Sequence, residues 1–173
     1  MAEKIPINGL KQSEQLSAFW VQPGHLPDPT MPKLCRALAA EQINIAFLNH
    51  STIGAPAPGL CCIDANDRAK AIAIIRSDHE LSQSVQVGEQ GVGLLSLYPH
   101  QASLRVLGTA LETLNNRGIM VYGLGSSIAA LTFVIDYARM EEAAESLSQQ
   151  LKLPPDATPS AVDFKVRQAS PST

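Results

Sequence analysis

Apolar residues along this chain follow two spacings, and the order of the spacings repeats. From Gly93 to Tyr98 the run GLLSLY reads as a buried strand. Leu107, Ala110, Leu111 and Leu114 then recur at helical spacing, with Gly118 as the stop. Ile119 to Leu124 predicts a second strand and Gly125-Ser126-Ser127 a turn. Ile128 to Asp136 is a β-branched and aromatic strand. Met140, Ala144, Leu147 and Leu151 form one stripe of a last helix, with Glu141, Glu142 and Glu145 toward water. The first half gives the same succession. Leu16 to Val21 is a strand, and Leu34, Cys35, Leu38 and Ala39 line a helix. Ile43, Ile45 and Phe47 alternate, Leu60 to Asp64 is the next strand, and Ala69, Ile72 and Ala73 face inward from a second helix.

A shift of 76 residues brings the first half onto the second, so that Phe19 falls on Leu95, Ile43 and Ile45 on Ile119 and Val121, and Ser51 on Ser127. Beyond that point the shift is 72, so that Ile63-Asp64 falls on Ile135-Asp136 and Ala71 on Ala143. The difference of four is an insertion in the first copy around Gly54-Ala55-Pro56-Ala57-Pro58, whose glycine and prolines mark a loop. An indel confined to a turn between aligned apolar positions is what duplication of a folded unit leaves.

Each copy needs a fourth strand. Val85 and Val87 supply one for the first copy, with the polar stretch Ser77 to Val85 as a connection, and Val162, Phe164 and Val166 supply one for the second. The expected fold is α+β: two ferredoxin-like βαββαβ units in tandem, with antiparallel sheets and the helices on one face. The expected domains are residues 1–86 and 87–166, followed by a mobile tail, 167–173. The glycines of Gly88-Glu89-Gln90-Gly91-Val92-Gly93 precede a strand instead of opening a helix, which makes them linker or strand-edge positions and no phosphate loop.

Composition narrows the function classes. The 173 residues are 45% hydrophobic and 17% charged, which is globular composition, and units of this size have thin cores that lean on a neighbour or a second copy. The 13 Lys and Arg residues are scattered and the formal net charge is -3, against phosphate-directed nucleic-acid binding. The polar start, Met1-Ala2-Glu3-Lys4, has no apolar signal core, and no apolar run is long enough to span a membrane, so the expected location is cytoplasmic. Cys35, Cys61 and Cys62 read as buried small hydrophobes in a reducing compartment. His25, His50, His79 and His100 show no metal spacing, and no nucleophile, zinc or kinase motif is present. No cofactor or metal is expected.

The second copy, Val92 to Leu151, resembles the ACT domains of aspartokinases. The stretch ALETLNNRGIMV (Ala110 to Val121) is similar to that family's helix ending in Gly-Ile-Asn-Ile, Leu124-Gly125-Ser126-Ser127 to its Gly-Ser-Ser turn, and LTFVID (Leu131 to Asp136) to its following strand. In the first copy ALAAEQINI (Ala37 to Ile45) looks like the same helix and strand. The resemblance implies a regulatory region standing without a kinase domain. It implies no enzyme but a module that binds a small molecule, an amino acid above all, at an interface between two ACT units, as a homodimer acting on a partner enzyme of amino-acid metabolism.

That resemblance places the ligand between the loop before the first helix and the start of the second strand. The corresponding residues here are Asp28, Thr30, Met31, Asn44, Ile45, Ala46 and Ser51 in the first copy, and His100, Gln101, Met120 and Ser127 in the second. Helix N–H groups there suit a carboxylate. Asp28 and Thr30 serve equally as helix N-caps, and Asn44, polar on an apolar strand, needs a partner from a ligand or from the neighbouring loop. The family's Pro-Gly before the helix is replaced by Asp28-Pro29 and by Leu104-Arg105, and Ala46 stands where lysine-binding relatives carry an acid. A basic amino acid is therefore not the expected ligand. The missing glycines favour the alternative, a ligand-free protein-interaction or oligomerisation module regulating a separate biosynthetic enzyme. A third reading, a small enzyme, would have to begin from His25, Asp28 and His100.

Overall fold

The structure, a computed structural model, describes residues 4–22, 28–50, 58–98 and 103–154 and the backbone of 160–161. Its elements in order are β1 (Ile5–Pro6), β2 (Gly9–Gln12), β3 (Leu16–Val21), α1 (Thr30–Ala40), β4 (Ile45–Asn49), β5 (Gly59–Asp64), α2 (Arg68–Ser77), α3 (His79–Ser84) and β6 (Val85–Tyr98). They continue as α4 (Leu104–Asn116), β7 (Val121–Ser126), β8 (Leu131–Asp136), α5 (Met140–Gln150), β9 (Leu151–Lys152) and β10 (Ser160–Ala161). The chain is mixed α+β and divides into two compact units.

The unit Gln15–Gly91 carries the first repeat. Its strands lie in the order β4, β5, β3 and then the first half of β6, with β4–β5 and β5–β3 antiparallel. The fourth position is filled from Val85 onward, as expected. Helices α1, α2 and α3 bury Met31, Leu34, Leu38, Ala71, Ile75 and Leu81 against Phe19, Val21, Cys61 and Ile63. These strand residues alternate, so the helices share one face of the sheet.

The second unit holds β7, β8, the second half of β6 and β2 side by side, antiparallel throughout, with β10 parallel on the outer edge of β2. Its core packs Val106, Ala110, Leu114, Met140, Ala143 and Leu147 of α4 and α5 on Leu95, Leu97, Leu131, Phe133 and Ile135.

Two expectations change here. The fourth strand of the second unit comes from the start of the chain. Gly9–Gln12 pairs with Leu95–Tyr98 (Gly9 opposite Tyr98, Gln12 opposite Leu95), and the residues up to Glu14 cluster with those from Val92 onward. A cut at 86/87 therefore does not separate the units. Ile7 and Leu10 are buried in that core, and Ser13 fixes the strand's end: its N–H donates to Leu94 O at 2.9 Å and its Oγ accepts the Leu94 N–H at 2.8 Å. Val162, Phe164 and Val166, and the tail 167–173, lie outside the described residues. The second change is the connection Ser77 to Val85, which contains α3. The Asp78 carboxylate accepts from Glu80 N and Leu81 N, which starts the helix, and Leu81 is fully buried. Gly88 and Gly91 lie within β6, not in a linker.

The repeat holds to the residue. Leu16 pairs with Asp64 as Val92 pairs with Asp136, at the shifts of 76 and 72. The register slips between Ile45 and Phe47 in one unit and between Val121 and Gly123 in the other, again equivalent positions. After the first helix of each repeat one residue turns left-handed, Gln42 (φ 57) and Gly118 (φ 64), and Ile43 N–H and Ile119 N–H then donate to Leu38 O and Leu114 O, both at 2.9 Å.

Candidate functional site

The start of α1 is built by Asp28 and Pro29. Pro29 occupies the cap position and offers no side-chain hydrogen bond, while Asp28, one residue earlier, accepts the Thr30 N–H at 2.9 Å. Thr30 is thus the first helical residue and not the cap, and Asp28 supplies the acceptor the helix end needs. Met31 points inward and is buried.

Asn44, half-buried, directly precedes β4, which Ile45 and Ala46 open, with Ala46 exposed at the register slip. These two groups of candidates lie at opposite ends of the first unit. Val21, which precedes α1, is opposite Gly59, whereas Ile45 is opposite Ile63, which itself faces Ser17. The 11-residue helix between them is about 16 Å long. Within this unit no single amino acid spans Thr30 and Ala46. The separation is physical: a helix that returns along the sheet delivers the next strand to the far end.

What Met31 of α1 does meet is Gly59, which lies beside Asn49 and His50. A side chain built on Gly59 would start 2.6 Å from Met31 Cε, 3.2 Å from the Asn49 carbonyl oxygen and 3.3 Å from His50 Nδ1. The Met31 methyl therefore rests against bare backbone at the first residue of β5. Nothing in the sequence pattern placed Gly59 in a site, because it follows the Gly54–Pro58 stretch and reads as loop punctuation. Ser51 lies outside the described residues.

In the second unit Ser103 caps α4, accepting the Val106 N–H at 3.3 Å. Ser127 closes the β7–β8 turn: its hydroxyl donates to Ala130 O at 3.2 Å and accepts the Ala130 N–H at 3.0 Å. Met120 is 66% exposed just before β7, so Met120 and Ser127 flank that strand at its two ends. His100 and Gln101 lie outside the described residues. The loop end of this unit also carries Leu104 and Ile128, 81% and 83% exposed.

Electrostatics elsewhere is structural. Lys33 Nζ lies 2.8 Å from Asp78 and 2.6 Å from Glu80, tying α1 to α3, and this contact holds the Asp78 carboxyl below the usual carboxylate range. Burial pushes the thiols of Cys61 and Cys62 up to about 12, so neither is a thiolate near neutral pH. Among the described residues no three His, Cys, Asp or Glu side chains group as a metal site, and no helix is long and apolar enough to cross a membrane.

No family model and no curated protein sequence matches the chain. Solved structures do match in fold. A crystal structure of aspartokinase α and β subunits is 15% identical with a TM-score of 0.73, over 83% of this chain and 97% of that one. The regulatory subunit of aspartate kinase from Thermus thermophilus, in ligand-free form, is 12% identical with a TM-score of 0.71, over 84% of this chain and 99% of that one. Aspartokinase III of E. coli, in complex with lysine and aspartate in its T-state, is 14% identical with a TM-score of 0.62, over 88% of this chain and 34% of that one. The chain thus has the fold of aspartokinase regulatory regions.

Proposed function

We propose that this chain is an amino-acid-sensing regulatory module for a separate enzyme of amino-acid metabolism, itself without catalytic activity. The observation that carries the proposal is the extent of the structural match: the described fold accounts for 99% of a solved aspartate kinase regulatory subunit. Aspartokinase III of E. coli was solved with two amino acids bound, which makes amino acids the first ligands to test. The proposed ligand seat is the start of α1, with Asp28, Thr30 and Met31, completed across an ACT–ACT interface formed by a second copy of the chain. That copy would contribute the strand end with Asn44, Ile45 and Ala46, which lies too far from Thr30 within one unit. Three unpaired thiols suit a reducing cytoplasm. A ligand acts on the partner only through unequal affinity for two packing states.

Thermal shift and calorimetry against the twenty amino acids test this. A ligand at 100 times its dissociation constant adds about 2.7 kcal/mol to the stability of the folded state. Unchanged melting for all twenty would refute amino-acid sensing. A second reading, a ligand-free oligomerisation module, is favoured by the exposure of Leu104 and Ile128 on the second unit. It predicts a concentration-dependent dimer, seen by light scattering, that Leu104→Glu with Ile128→Glu dissociates.

A further inference from the structure

The two repeats are equivalent in backbone but differ in how the loop end of the core is filled. In the second unit the positions are held by Leu107, half-buried on the first helix beside the buried Val106, and Leu131, fully buried at the start of β8; both leucines are branched. Their counterparts in the first unit, at the shifts of 76 and 72, are Met31 and Gly59. There an unbranched side chain lies over a residue that has none, and its terminal methyl occupies the space a β-carbon would take. Methionine swings about three side-chain bonds at low cost, and glycine inside a strand marks a place where another group approaches the backbone. A branched leucine has fewer ways to swing aside, whereas the space filled by the end of a methionine lying over glycine can be vacated.

We infer that the Met31 side chain is a displaceable wall which sets the size of apolar side chain the module accepts, and that the first repeat, not the second, holds this adjustable site. The inference rests on the amino-acid-binding reading above and specifies its ligand class: amino acids with an aliphatic or thioether side chain, which replaces the Met31 methyl over Gly59. Ala46 offers no countercharge for a basic side chain.

Calorimetric titration of the full chain with L-alanine, L-valine, L-leucine and L-methionine, with L-lysine as control, tests it, and Trp20, whose strand neighbour Val21 is paired with Gly59, gives a local fluorescence readout. The quantity read is the ratio of affinities for L-leucine and L-alanine. Met31→Ala removes the wall and is expected to raise the ratio at least tenfold. Gly59→Ala places a methyl in the same space and is expected to lower it at least tenfold. Met31→Leu conserves volume, keeps the fold and substitutes a branched side chain that cannot swing aside, so it too lowers the ratio. Binding by the wild type with a ratio unchanged within twofold in Gly59→Ala and Met31→Leu would overturn the inference and leave amino-acid sensing standing. No heat and no Trp20 response to any amino acid in the wild type would overturn both.

Discussion

Leu10→Ala asks which half of the molecule the first fourteen residues hold together. Leu10 is 3% exposed, sits opposite Leu97 and packs in the core built by α4, α5 and β8. Truncating a buried leucine to alanine removes transfer free energy and leaves a cavity, together about 3 kcal/mol. Native-state hydrogen exchange resolves where that loss falls. In the regime where opening precedes exchange, about 3 kcal/mol corresponds to a rate increase on the order of 100-fold, since each 1.4 kcal/mol is tenfold. The expected increase is in the amides of Leu131–Asp136 and of the second half of Val85–Tyr98, far along the chain from the substitution. The amides of Leu16–Val21 and Gly59–Asp64, nearer in sequence, are expected to keep their protection. Deprotection of Leu16–Val21 and Gly59–Asp64 with Leu131–Asp136 unchanged would refute the assignment of the N-terminal strand. Equal losses in both sets would instead show that the two units open together.

Three further outcomes follow from local chemistry. Gln42→Gly relieves a left-handed residue bearing a β-carbon and is expected to stabilise by about 0.5–1 kcal/mol in urea denaturation, while Gly118→Ala, its equivalent in the second repeat, costs about 1 kcal/mol. Asp78 is held ionised in the folded state chiefly by the Lys33 ammonium, so its contribution is complete above the carboxylate's ordinary range and is lost as acid protonates it. Melting temperature should fall as pH drops from 5 toward 3, and Asp78→Asn should flatten that fall; an identical slope in the variant would remove the ion pair from the account. Native thiol titration should show Cys35, half-buried, reacting ahead of Cys61 and Cys62, whose burial keeps them protonated; fast labelling of Cys62 in the folded protein would contradict the packing.

The periodic parts of the fold were legible in the sequence because each strand and helix had to bury a patterned face. Leu131–Asp136 and the stripe from Met140 to Leu151 announce themselves that way, and the two shifts read from the sequence bring the strand pairing, the left-handed residue and the register slip of one repeat onto those of the other. Gly9–Gln12 gave no such signal. Four residues with Leu10 as their one large apolar side chain have no period, and their partner strand lies more than eighty residues away. Helix α3 hid for a related reason: HELSQS offers only Leu81 to the core, and its start depends on the capping carboxylate of Asp78. The candidate site was legible as a set of residues but not as a place. Asp28 and Asn44 flank the same helix in sequence, and that helix holds them at opposite ends of the sheet. Gly59 carries no sequence signal, because a glycine beside prolines reads as loop, and its role shows only in the packing of Met31.

Duplicated units reveal what a fold requires by what both copies retain. Few residues are identical between these repeats, yet both keep a left-handed residue after the first helix, a slipped register on the edge strand and an aspartate where the third strand ends. All three set the path of the backbone, and each can be met by more than one side chain, as Gln42 and Gly118 show. Positions that fill space are under a different demand. Where backbone is held equal and filling differs, as at Met31 with Gly59 against Leu107 with Leu131, stability alone gives no reason for a methionine over glycine, since the second copy carries leucines at both equivalent positions. A copy that keeps replaceable packing beside a helix start has given up rigidity at one spot, and a small ligand gains from that spot in a way the scaffold does not.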